Sequence, residues 1–294
     1  EVCAFVLPLW LGGSLALPTW CDARQYSVPV TPAVLMLLVG GIALAQVVSD
    51  PRQVTLRWLR LGGIIAVTLA GIAAVVEAMA AMPGDQAMRW SLIGVAIAAA
   101  VAQLLTVQLA WRTTQRVAAI VTFVAASCTA AWIARQTFAV DGAIDAHAAG
   151  PSVVALFAAA PLSAGLLGGF LMTMLLGHAY LTAGNEMTQA PFRRLAWMLA
   201  VLLVARLAAS AAFAGVPYFT PDHYGGSQAW AVMNITARYL VGLVVPGVFT
   251  YMTIDCVRRR ANQSATGILY VTSVLVVIGE GAALALARST GYVF

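Results

Sequence analysis

The stretch "MLLVGGIALAQVVSDPRQVTLRWLRLGGIIAVTLAGIAAVV", residues 36–76, sets two long apolar runs on either side of a short connection holding Asp50, Arg52, Arg57 and Arg60. A helix rises about 1.5 Å per residue, so roughly 20 apolar residues cross a hydrocarbon core of about 30 Å. Each run has that length, and the charged connection stops both. The pattern repeats along the chain. Nine runs read as spans: 4–20, 31–48, 61–82, 91–111, 117–134, 152–183, 195–215, 230–254 and 267–287.

Composition points the same way. The chain is 62% hydrophobic and 9% charged, with mean hydropathy +0.89. Water-soluble domains carry about 25% charged residues, so lipid must be the solvent over most of this sequence. The expected fold is an all-α polytopic integral membrane protein, residues 1–294 forming one transmembrane domain with external loops at 135–151 and 216–229. All 16 basic residues are arginine, and the net charge of +5 is spread over short turns, which excludes a nucleic-acid patch. The first apolar run has no basic segment ahead of it and "CDARQ" is a poor cleavage site, so it reads as a span and not as a signal peptide. Cys3, Cys21, Cys128 and Cys256 make no metal-ligand spacing.

The connections alternate in charge. Arg52, Arg57 and Arg60 follow span two, Arg112 and Arg116 follow span four, Arg193 and Arg194 outweigh Glu186 after span six, and Arg258, Arg259 and Arg260 follow span eight. The odd connections are neutral or acidic: Asp22 balances Arg24, Asp85 balances Arg89, Asp141 and Asp145 outweigh Arg135, and Asp222 stands beside His223. The positive-inside rule then predicts a cytoplasmic N-terminus and an external C-terminus in a bacterial cytoplasmic membrane. Span six is 32 residues long, about 48 Å as a helix, with Pro161 inside it. That predicts either an interfacial or re-entrant piece over 152–160 or one tilted helix kinked at the proline. Pro246 predicts a kink in span eight, and the glycines of "GLLGGFLM" predict a close helix contact.

Ionisable side chains within spans are costly and are the first functional candidates. Arg206, Arg238, Glu280 and Glu77 all fall at the membrane middle or in its outer half, with Asn234 one turn from Arg238 and Ser210 one turn from Arg206. Two readings stand: an Arg238–Glu280 salt bridge with Arg206 satisfied by serine or a carbonyl, or a polar cavity for a headgroup, a quinone carbonyl or a proton path. A second candidate set lies near the cytoplasmic side. His178, Tyr180, Glu186 and Asp255 could supply hydrogen bonds to a quinone and a route for its protons. The plainer alternative is a histidine satisfied by its own turn and an Asp255 paired with Arg258 or Arg259.

Bis-histidine haem needs two intramembrane histidines, and His178 is alone; His147 and His223 fall in external loops. No nucleotide-binding, hydrolase or metalloprotease pattern occurs, so no metal is expected. Eight to ten helices, short loops and a few buried polar groups near an interface are similar in type to the quinone-interacting membrane anchors of bacterial redox complexes. No motif of that family is matched, so none of its site residues is carried over. The expected function is therefore an integral subunit of a respiratory or photosynthetic electron-transfer complex, with quinone and lipids as its cofactor contacts and other subunits of the complex as partners. A secondary transporter with an intramembrane Arg/Glu site is the first alternative. A lipid-modifying enzyme using Asp141, Asp145, His147, Asp222 and His223 in its external loops is the second.

Overall fold

The structure is a computed structural model that describes residues 30–80, 85–140, 153–183, 188–214 and 228–290. Within them every element is helical: α1 (Thr31–Val48), α2 (Leu56–Ala80), α3 (Gln86–Gln108), α4 (Arg112–Val140), α5 (Val153–Ala183), α6 (Ala190–Ala214), α7 (Gln228–Thr236), a π-helical segment (Ala237–Val244), α8 (Val245–Arg258) and α9 (Asn262–Thr290). Counting α7, the π segment and α8 as one crossing, eight helices are long and apolar enough to cross a membrane. This is the construction of a multi-pass membrane protein. The expected span at 4–20 lies outside the described residues.

The helices run past the apolar stretches that announce them. α4 begins at Arg112 and continues to Val140, so residues 135–140 are helix where a loop was expected. Backbone groups near lipid must stay paired, and extending the helix does so without partners from elsewhere. Hydroxyls follow the same rule: Thr122, Thr173, Thr253 and Thr272 each donate to the carbonyl four residues back, at 2.7–2.8 Å. Of the two forms expected for span six, the re-entrant one fails, because α5 is a single helix through Pro161.

α1 is the most enclosed of the early helices and packs against α2, α4 and α5. Its contact with α5 is set by glycine. A Cβ on Gly41 would fall on Ala164 and Gly168 backbone, and one on Gly168 would fall on Gly41 and Ile42. The backbones cross where no side chain fits between them. Trp58 on α2 donates its indole N–H to the Met172 carbonyl of α5 at 3.3 Å. Near the same end of the bundle, Gln46 donates to the Leu59 carbonyl (3.0 Å) and accepts from Gln103 (2.8 Å) and Gln115 (3.4 Å), which ties α1 to α2, α3 and α4.

The outward faces are apolar. Val75, Met79, Val95, Val201, Val204 and Val274 are each more than half exposed, an arrangement that suits lipid and not water. Arg52, Arg57, Arg60, Arg112, Arg116, Arg193, Arg194, Arg258, Arg259 and Arg260 belong to the connections and helix ends on one face of the bundle. That end is called the arginine face below.

Candidate functional site: a buried ion cluster beside an alanine-lined slot

The seventh crossing changes helix type where its charge sits. Val245 donates its N–H to the carbonyl of Leu240, five residues back, and Pro246 follows with no N–H to donate. Pro246, where a kink is expected from the sequence, thus follows a full π-helical segment, a form that is rare and concentrated at functional sites. The segment also carries Gly242, which crosses Gly279 of α9 so closely that a Cβ on either would fall on the other's backbone. Arg238 lies one turn before Gly242, and Glu280 immediately follows Gly279. The glycine crossing therefore brings these two side chains together.

Arg238 donates from Nη1 to Glu280 Oε1 at 2.8 Å, and both side chains are essentially enclosed, at 0% and 4% exposed. Arg206 of α6 reaches the same carboxylate, Nε to Oε1 at 3.4 Å and Nη2 to Oε2 at 3.5 Å. Ser163 of α5 also hydrogen-bonds to Glu280. Ser210 accepts from Arg238 Nη2 at 3.4 Å. The i, i+4 spacing on α6 points Ser210 toward Arg206, but its hydroxyl serves Arg238 across the helix contact. Asn234 is buried one turn before Arg238 on the same crossing. Among the described residues, two guanidiniums thus share one carboxylate. The Nη1 group of Arg206 is buried with no hydrogen-bond acceptor among them.

Beside this cluster lies a narrow cavity of about 50 Å³. Its walls are small and apolar, including Ala130, Ala134, Ala159, Ala160 and Ala283, with Phe138 from α4. Arg206, Glu280 and Ser163 form its polar lining. One water needs about 10–15 Å³, so the slot has room for a few waters and for nothing larger as it stands.

Glu77 does not belong to this cluster, contrary to its grouping on sequence. Its Oε1 accepts from Arg89 of α3, and Arg89 Nε donates to Gln136 of α4 at 2.7 Å. Asp85, which balances Arg89 in the charge of this connection, caps α3 by accepting from the Met88 N–H at 3.0 Å. Glu77 is close to one turn from the end of α2, so Arg89, at the start of α3, can fold back to it.

The candidates expected near the cytoplasmic side separate. His178 is exposed on α5, whereas Tyr180 is buried, its hydroxyl donating to the Thr188 carbonyl and its ring stacked on Phe192 at 5.3 Å. Two residues apart on a helix means roughly 200° apart in direction, so the two cannot line one pocket. Asp255 pairs with Arg259 at 2.9 Å on the surface of α8. Glu186 lies outside the described residues, as do Asp141, Asp145, His147, Asp222 and His223. Among the described residues no group of three His, Cys, Asp or Glu side chains could hold a metal ion.

Sequence reading missed Ser163, Arg89 and Gln136. A serine or glutamine in a span gives no signal of its own, and Arg89 sits at a helix end where an arginine is ordinary. No family model, curated protein or solved structure matches this chain.

Proposed function

We propose that the chain is a quinone-interacting integral subunit of a bacterial electron-transfer complex, and that its quinone contact is the Arg206–Glu280 end of the alanine-lined slot. The observation that supports this reading is the buried Arg206 Nη1, a charged donor without an acceptor among the described residues, at the edge of an apolar cavity. A quinone offers an apolar ring and carbonyl oxygens, the complement of small apolar walls and a guanidinium N–H that no described residue accepts. At about 50 Å³ the slot is smaller than the ring, so binding displaces waters and moves the wall at Phe138 and Leu284. In this proposal the chain spans a bacterial cytoplasmic membrane nine times, residues 4–20 being the first span. The arginine face is cytoplasmic and the slot lies in the outer half.

The test is titration of a short-chain quinone into the protein in lipid nanodiscs, read by tryptophan fluorescence. Saturable binding is expected, weakened about tenfold or more in Arg206→Gln, the range for losing a hydrogen bond from a charged donor. No saturable binding, or equal affinity in Arg206→Gln, overturns it. Co-purification from mild detergent with haem- or iron–sulfur-bearing subunits tests the complex.

A second reading is a secondary transporter. It is favoured by the π segment, Pro246 and the Gly242–Gly279 crossing, a built-in discontinuity next to buried charge. Substrate uptake by liposomes containing this chain alone would select it.

A further inference from the structure

At the arginine face, α1 and α6 leave an open groove of about 510 Å³ between them. This lies within the range of about 300–1,000 Å³ usual for ligand sites. Leu44 and Val48 of α1 form one wall, and Trp197, Val201 and Leu202 of α6 form the other. Trp197 and Val201 are 54% and 63% exposed, so the groove opens outward from the bundle. Its polar end is made by Arg193 and Arg194, both exposed at the start of α6. Neither forms an ion pair with a carboxylate among the described residues.

We infer that this groove seats an anionic phospholipid, with one acyl chain along Leu44, Val48 and Val201 and the phosphate between Arg193 and Arg194. The charge argument selects the occupant. Two exposed guanidiniums with no carboxylate partner among the described residues favour a phosphate. A wall that is apolar for the remaining length favours hydrocarbon. Trp197, one turn deeper than Arg193, has the amphipathic ring that favours the boundary between headgroup and chain. A zwitterionic lipid fills the same wall, but its ammonium offsets the attraction. A basic pocket beside a crossing helix is the general form of anionic headgroup recognition. The inference stands independently of the quinone reading, since it uses none of the same residues.

The experiment uses the full-length protein in nanodiscs containing phosphatidylglycerol or phosphatidylcholine brominated on the acyl chain. The Trp197 signal is taken as the difference between the wild type and Trp197→Phe. Brominated phosphatidylglycerol is expected to quench it at about fivefold lower mole fraction for each arginine engaged. The double variant Arg193→Gln/Arg194→Gln is expected to lose that preference while keeping quenching by phosphatidylcholine and an unchanged melting temperature. Equal quenching by the two lipids in the wild type means ordinary boundary lipid and overturns the site. So does absence of quenching together with disulfide formation between Val201→Cys and Leu7→Cys, Leu11→Cys or Leu15→Cys, which would put the chain's own first apolar run in the groove.

Discussion

At the scale of single residues, the arithmetic of buried charge decides which substitutions matter. Glu280 answers both Arg206 and Arg238, so losing it strands two guanidiniums, whereas losing either arginine leaves a neutral pair. Leaving a buried charge uncompensated costs about 3–5 kcal/mol. Glu280→Gln is therefore expected to lower thermal stability in detergent more than Arg206→Gln or Arg238→Gln. Adding Arg238→Gln to Glu280→Gln should recover only part of the loss, because Arg206 remains; full recovery would show that Arg206 does not depend on Glu280. Additive losses across the Arg238/Glu280 cycle would deny their contact. The opposite expectation holds for His178. Its side chain is exposed and lies on the other side of α5 from Tyr180, so His178→Leu should leave assembly and quinone affinity unchanged. A fall in quinone affinity would return the site to the end of α5 that carries His178.

At the scale of elements, the cluster depends on how closely the π segment and α9 cross. Gly279→Ala would drive a Cβ into the backbone of Gly242, which neither helix can avoid by changing a rotamer. Two residues on, a Cβ at Gly281 meets nothing within 4 Å. Gly279→Ala is expected to destabilise by about 1–3 kcal/mol, the cost of forcing atoms into a packed contact. Gly281→Ala should be neutral or gain up to about 1 kcal/mol from helix propensity. Matched melting curves test the pair, and equal effects would mean that the crossing is looser than described. The glycines and Pro246 were visible in the sequence, but the π segment was not. A shift of the backbone hydrogen bonds to the carbonyl five residues back changes no residue type and no hydropathy, so only the three-dimensional register of Val245 on Leu240 exposes it. The same holds for Ser210, whose sequence spacing pointed to Arg206 and whose direction within the bundle serves Arg238.

At the scale of the whole molecule, eight of the nine spans read from hydropathy correspond to described helices, because each crossing writes its own signal locally. Pairings between crossings are written nowhere in one stretch. Glu77 and Arg238 look alike as lone charges in apolar runs, yet one is answered from the start of α3 and the other from α9. Orientation is a third kind of property, since it rests on where the arginines gather and not on any contact. The tight connections α3–α4 and α8–α9 both lie on the arginine face. Both turn through a non-glycine residue with positive φ, Ala110 at 57° and Arg260 at 60°. Thr113 and Gln263, just beyond these turns, are exposed. In a chain whose four cysteines are replaced by serine, Thr113→Cys and Gln263→Cys should resist a membrane-impermeant maleimide added to intact cells, then react after permeabilisation. Asp145→Cys, in the connection between α4 and α5, should react from outside without it. The positive-inside rule requires this division, because short arginine-bearing loops are retained in the cytoplasm. Labelling of Thr113→Cys and Gln263→Cys in intact cells, with Asp145→Cys protected, would invert the molecule and place the alanine-lined slot in the cytoplasmic half. A quinone held there would exchange its protons with the opposite compartment.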